Sequence, residues 1–360
     1  MRVVIAPDGF TGTLTATAAA AAMAEGWRAA RPTDELVLLP MSDGGPGFLD
    51  ALPGTLVSVL VEDPLARPTL AAFRLDGTTG YVESAQAGGL HLLDPVERDP
   101  AVTTSYGVGQ LVQAAVDAGA TRVVVGLGGS GTNDGGAGML AALGVRREDA
   151  AGDRLPPGCL PLAQAARLVG NPTPVELVAA TDVDSPLLGP HGATQEFGPQ
   201  KGARDLPALE AAVAHWADLL EAHLGVAARD LPGAGAAGGL GFAILATGGS
   251  RVSGMSVVST AVGLAEALVG ADLVLTGEGS LDGQSLRGKV VAGVAGAALV
   301  EAVPCVVLAG QVAVGRRELG AAGVAEAHSL VEAVGAEAAL SDAAASLATL
   351  AARVAHTWRA

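Results

Sequence analysis

Residues 123–140 constrain the fold more than any other stretch. Val123, Val124 and Val125 form an uncharged β-branched run, Gly126, Gly128, Gly129 and Gly131 strip the next turn of side chains, and an apolar segment follows from Ala137 to Leu140. The pattern predicts a buried strand, a tight loop and a helix, as in an α/β sheet. Bare backbone N–H groups beside Ser130, Thr132 and Asn133, where a helix begins, have the chemistry of an anion cradle, most often for phosphate. A plain strand-to-helix turn would need the same glycines. Gly126-x-Gly128-x-x-Gly131 also fits the dinucleotide fingerprint formally, although the Asn133-Asp134-Gly135-Gly136 that follows is foreign to it. The chain has only two asparagines, Asn133 and Asn171, and one of them stands in this loop beside Asp134.

A chain of 360 residues is long enough for two domains, and with half its residues apolar and 16% charged it is a globular protein. Its net charge of −16 and its 3% aromatic content argue against nucleic acid and acidic membrane surfaces as partners. Cys159 and Cys305 are the only cysteines and lie far apart, which suggests a reducing compartment and inert core thiols. Residues 231–250 are uncharged but dense in glycine, so they read as a buried segment and not as a membrane span. A cytoplasmic location is the expectation.

Along the chain, residues 3–6 read as a strand, 15–30 as a helix capped by Thr15 or Thr17, and 36–40 as a second strand. Asp8 and Asp43 then stand at the carboxyl ends of neighbouring strands, where open α/β sheets bind ligands. From Thr55 the pattern changes to three short strands, 56–61, 70–74 and 78–83, an antiparallel meander that marks a domain boundary. Strand 175–180 runs into Asp182 and Asp184, whose alternation points both carboxylates to one side, a pairing suited to a metal ion or to a base beside one. An Asx-turn before Pro186 would use the same residues. Residues 206–224 form an amphipathic helix, with His215 and His223 expected on its solvated face.

Of the basic residues only Lys201 and Lys289 are lysine; all others are arginine. A compact ammonium is not equivalent to a guanidinium around phosphate, and both lysines sit in glycine-flanked segments. Lys201 lies in 189–202, a Gly/Pro-rich stretch read as a lid or substrate loop. Gly283-x-x-x-x-Gly288-Lys289 matches a P-loop except at Val290, where Ser or Thr should hold Mg²⁺, so it is not a true one. Glu278, Asp282 and Lys289 still suggest a phosphate-and-metal loop. Residues 233–241, rich in glycine and alanine, suit either the lining of a nucleotide site or the close approach of a helix to a sheet.

These motifs together resemble the type-1 glycerate kinases. The resemblance is carried by Ala6-Pro7-Asp8-Gly9-Phe10-Thr11-Gly12-Thr13, Pro40-Met41-Ser42-Asp43-Gly44-Gly45, Gly128 through Met139, Thr181 through Leu187, Phe197 through Ala203, Gly233 through Gly241, and Thr276-Gly277-Glu278-Gly279 with Gly288-Lys289. The motifs keep the family's order and span nearly the whole chain. The resemblance implies ATP-dependent phosphorylation of D-glycerate to 2-phosphoglycerate. It also implies two α/β domains: a flavodoxin-like parallel-sheet domain made from both chain ends, 1–54 and 260–360, and an inserted mixed-sheet domain, 55–259, resembling restriction-enzyme folds. The first motif in the family usually reads Asp-Ser-Phe-Lys-Gly-Ser, so Gly9 and Thr11 depart from it, and Pro46 stands where Glu is common.

On this reading glycerate and the γ-phosphate of ATP meet in a cleft between the domains. Asp182 acts as base with Asp184 as the alternative, and Mg²⁺ lies among Asp182, Asp184 and Glu278. Lys201 and Lys289 hold phosphate oxygens or the substrate carboxylate. Asp8, Asp43, Gly128, Gly129, Ser130, Thr132, Asn133, Asp134 and Arg287 complete the substrate and phosphate contacts. The 3-phosphoglycerate product, an NAD-dependent dehydrogenase and a non-catalytic small-molecule sensor are the alternatives, and a homodimer stays open.

Overall fold

The computed structural model describes residues 1–10, 12–283, 285–286 and 289–358. Its principal strands are β1 (Arg2–Ile5), β2 (Glu35–Leu38), β3 (Thr55–Glu62), β4 (Pro68–Asp76), β5 (Thr79–Glu83), β6 (Arg122–Gly126), β7 (Glu176–Ala180), β8 (Ser250–Val252), β9 (Leu273–Thr276), β10 (Cys305–Ala309) and β11 (Val324–Ser329). The chain divides into two compact units. One comprises Met1–Asp43, Asp50–Leu52 and Met255–Ala360, the other Gly44–Leu49 and Pro53–Gly254.

The first unit holds an all-parallel sheet in the order β11-β10-β9-β1-β2. Counted within the unit and read from the other edge, this is 2-1-3-4-5, the flavodoxin-like doubly wound order. Such sheets are covered on both faces, and the sequence shows it: Val3, Val4, Ile5, Leu273, Val274, Leu275 and all of β10 are fully buried. Thr15 accepts a hydrogen bond from Ala18 N at 3.1 Å and starts the helix Ala16–Ala30. That helix packs on the helix Ala343–Thr357. Gly26 permits the approach, because a Cβ there would stand 1.9 Å from the Ala348 carbonyl oxygen. Trp27 fills the core beneath, and its indole N–H donates to Asp34 at 3.0 Å.

The second unit holds a mixed sheet in the order β8-β7-β6-β5-β4-β3. The expected meander is there, antiparallel from β3 through β5, with Thr55 opposite Leu75 and Asp76 opposite Thr79. The sheet then turns parallel: β5 to β6, β6 to β7, β7 to β8. The change follows from the connection, since the helix Tyr106–Asp117 lies between β5 and β6 in the chain, and a crossover of that length joins parallel neighbours. The helix Leu206–Leu224 begins at an Asp205 cap and ends at left-handed Gly225, burying Leu209, Val213, Trp216 and Leu220. His215 and His223 do more than face water: their Nε2 atoms lie 2.7 Å from the Ala165 carbonyl and 2.8 Å from the Gly170 carbonyl, clamping that segment to the helix. Residues 231–250 supply the helix Ala236–Ala246 and part of β8. Among the described residues no helix is long and apolar enough to cross a membrane.

Candidate active site

β6 ends where the sequence predicts, and its glycine loop is held from three sides. Asp134, with no exposed surface, accepts from Ser105 N at 2.9 Å, Ser105 Oγ at 2.9 Å, Thr104 Oγ1 at 3.3 Å, Gly136 N at 3.2 Å and Gly138 N at 3.1 Å. A carboxylate so fully engaged anchors the loop and has no capacity left for a substrate, so its duty differs from the expected anion contact. Trp216 Nε1 donates to the Gly135 carbonyl at 3.0 Å and Thr103 Oγ1 to the Gly131 carbonyl at 2.9 Å. The Gly233–Gly241 stretch packs backbone against backbone: a Cβ on Gly238 would lie 2.0 Å from the Thr132 carbonyl oxygen, and Gly135 N donates to the Gly238 carbonyl at 3.0 Å. Close approach therefore accounts for Gly238 in this stretch. Ala237 takes the left-handed conformation at φ 51° there, a strained position for a residue with a Cβ.

The glycines of the loop are divided in purpose. A Cβ on Gly126 would meet the Gly44 carbonyl and the Phe48 ring, each at 2.7 Å, and one on Gly128 would meet Gly45 Cα at 2.5 Å. These two glycines make room for the Gly44-Gly45 backbone, which accounts for their spacing without a dinucleotide. The cradle is shorter than expected. Gly131 N donates to the Gly88 carbonyl at 2.8 Å, while the N–H groups of Gly128, Gly129 and Ser130 take no acceptor among the described residues. Thr132 and Asn133 are fully buried, and Asn133 Nδ2 donates to Thr194 Oγ1 at 3.0 Å, tying the loop to the helix Ala193–Phe197.

Lys201 reaches this cradle from the segment expected to be a lid. It is 2% exposed, and its ammonium donates to Ser130 Oγ at 2.9 Å and to the Thr132 carbonyl at 2.8 Å. Burial lowers its pKa to about 7, against the opposing pull of Asp134. A cavity of about 230 Å³ opens here, lined by Gly128, Gly129, Ser130, Phe197, Gln200 and Lys201 with neighbours including Ala237. An ammonium with no carboxylate ion pair among the described residues, lining a cavity with amides that take no acceptor, has the chemistry of an anion site. Phe197 and Gln200 join it although neither is an expected site residue, the sequence marking them only as part of the 197–203 motif around Lys201.

β6 and β7 pair with Gly126 opposite Ala180, so Gly128 and Asp182 leave the sheet side by side two residues later. Asp182 is half-buried there. Asp184 is not its partner: it is exposed and paired to Arg251 at 2.6 Å, a contact that nothing in the sequence announces. Among the described residues no group of three or more His, Cys, Asp or Glu side chains is disposed to hold a metal ion, the expected Asp182, Asp184 and Glu278 set included.

In the first unit, Asp8 follows β1 and Glu278 follows β9. These are the strands between which the order 2-1-3-4-5 reverses direction, the switch point of a doubly wound sheet and its usual ligand position. Asp8 is pushed up to about 7, chiefly by burial and next by the Asp43 carboxylate, with Glu278 adding and Lys289 opposing. Burial raises Glu278 too, while the Ser285 hydroxyl and Lys289 pull the other way. Glu278 Oε1 is buried without a hydrogen-bond partner. Acids that raise one another's pKa and an orphaned carboxylate oxygen fit a hard cation. Mg²⁺ commonly takes only one or two carboxylates and completes its shell with water and phosphate. Ser285 is a contributor the sequence reading passed over. Thr11, Arg287 and Gly288 lie outside the described residues.

A family model for the glycerate kinase family matches residues 3–359. The chain belongs to that family. A glycerate kinase of Bacillus subtilis strain 168 is 44% identical over 326 residues, covering 87% of this chain and 85% of its own. The glycerate 2-kinase of Escherichia coli K12 is 40% identical over 324 residues, with 86% and 85% covered. A solved structure described as a glycerate kinase 2, from Salmonella typhimurium LT2, superposes with a TM-score of 0.83 at 37% identity over 99% of this chain and 98% of that one. Family membership makes the chain a phosphotransferase with an alcohol acceptor.

Proposed function

We propose that this protein transfers the γ-phosphoryl group of ATP to the 2-hydroxyl of D-glycerate. The observation that carries the reading is Lys201: a buried ammonium, in no ion pair with a carboxylate among the described residues, set against the amides of Gly128, Gly129 and Ser130, which take no acceptor there. Phosphoryl transfer is mostly positioning and charge stabilisation, and these donors suit an oxyanion of the substrate or of the moving phosphoryl group. Asp182, emerging beside Gly128, accepts the proton of the attacking hydroxyl. Asp8 and Glu278, a pair of carboxylates with water and phosphate completing the shell, would hold Mg²⁺, which when bound neutralises charge on the triphosphate. Lys289 adds a cation on the same side of the first unit, placing the nucleotide phosphates at its switch point. Buried thiols at Cys159 and Cys305 without a disulfide suit a reducing, cytoplasmic setting.

Purified protein with ATP, Mg²⁺ and D-glycerate should release ADP only when glycerate is present, and phosphorus NMR of the product should show a secondary phosphate ester, 2-phosphoglycerate. A primary ester would move the site of transfer to the 3-hydroxyl. ADP release indifferent to glycerate would remove the substrate assignment. Asp182→Asn should lower kcat about a hundredfold or more with an unchanged melting midpoint.

A further inference from the structure

The second unit has another cavity, of about 280 Å³, lined by Glu62, Thr104, Tyr106, Arg146, Arg147 and Arg154 with a few apolar neighbours. It shares no lining residue with the cavity at Lys201. Arg147 determines what it suits. The residue is 6% exposed, its guanidinium makes no hydrogen bond or ion pair among the described residues, and its Nη1 is buried without a partner. A guanidinium keeps its proton throughout the ordinary pH range, so burying one unpaired is costly. Asp134 lies within electrostatic reach, but its oxygens are already engaged by Thr104, Ser105, Gly136 and Gly138. Arg67, Arg122, Arg167, Arg229 and Arg251 of the same unit each pair with a carboxylate. Arg146 and Arg154 are exposed at the same cavity and also lack side-chain partners among the described residues. Among the lining residues one acid, Glu62, stands against these three cations, while the Tyr106 hydroxyl adds a neutral donor.

We propose that this cavity binds a small oxyanion, a carboxylate or a phosphate, held by Arg147 with Arg146 and Arg154 at a site distinct from the Lys201 cavity. A guanidinium fork matches either group bidentately. The site has a route to the catalytic loop. Thr104 lines it and donates to Asp134, and Asp134 fixes the loop that Lys201 touches.

The test is calorimetric titration of the full chain carrying Lys201→Met, which disables the other anion cavity. Inorganic phosphate is the probe in one arm and malonate in the other, and the arm that binds more tightly identifies the anion class. At least one probe should bind with one-to-one stoichiometry. Adding Arg154→Gln, a change at an exposed side chain, should weaken that binding at least tenfold, about 1.4 kcal/mol, with an unchanged melting midpoint. Arg147→Gln should abolish it. Neither probe binding at concentrations on the order of 10 mM, or binding that both arginine substitutions leave unmoved, would overturn the proposal.

Discussion

Asp134 accepts hydrogen bonds from four residues at a place with no solvent, and it offsets the two nearby cations Lys201 and Arg147. Replacing it with alanine orphans those donors and both cations together, so Asp134→Ala should cost about 3–5 kcal/mol in urea denaturation. A cost under about 1 kcal/mol would mean the loop is held by other means. Lys201 gives a prediction with a sign. Its folded-state pKa of about 7 lies below the ordinary 10.5, so below pH 7 both folded and unfolded chains hold the proton and the burial penalty is present in full. Between about 7 and 10.5 the unfolded chain binds more protons, and stability rises with pH. The stability advantage of Lys201→Met over the natural chain should therefore shrink as pH climbs through that window, and a gap that stays constant would contradict the lowered pKa. At this scale the sequence was partly legible. The scarcity of lysine and asparagine singled out Lys201 and Asn133, but the pairing of Asp184 with Arg251, 67 positions apart along the polymer, leaves no local trace.

Glycines distinguish the elements that are packed from those that are merely turned. Gly26 and Gly296 both sit in helices, Ala16–Ala30 and Val290–Val300. A Cβ on Gly26 would lie 1.9 Å from the Ala348 carbonyl, whereas nothing stands within 4 Å of one on Gly296. Alanine gains up to about 1 kcal/mol in helix propensity at either position, but a clash with backbone outweighs that gain at the first. Gly26→Ala should lower the melting midpoint and Gly296→Ala should raise it slightly; shifts of the same sign would show that the helix pair yields. Elements themselves were readable because buried parallel strands are continuous apolar runs and Thr15 advertises a helix start. The purposes of the glycines were not, because each depends on which backbone passes opposite. Gly126 and Gly128 looked like a phosphate loop and serve Gly44 and Gly45, and the cradle contracts to Gly128, Gly129 and Ser130. The expected lid around Lys201 is short helical turns with its lysine buried.

For the whole molecule, the parallel order 2-1-3-4-5 and the mixed six-stranded sheet account for where the chemistry gathers. Strand ends at the switch point carry Asp8 and Glu278, and adjacent strand ends in the other unit carry Gly128 and Asp182. The class of fold was visible in the alternation of strands, loops and helices. Which acids lie near one another was not, since that depends on strand order: Asp8 feels the Asp43 and Glu278 carboxylates, while Asp184 turns to Arg251. The net charge of −16 makes the reading stricter: in a chain this acidic, an anionic substrate must be drawn by a few placed cations and bare amides. The central claim is that Lys201 is the cation that meets the substrate's oxyanion. Steady-state kinetics of Lys201→Met with D-glycerate as the varied substrate tests it most directly. A fall in kcat/KM of about a hundredfold or more, with the chain folded and ATP binding retained, is the predicted result; a value within about threefold of the natural chain would contradict it.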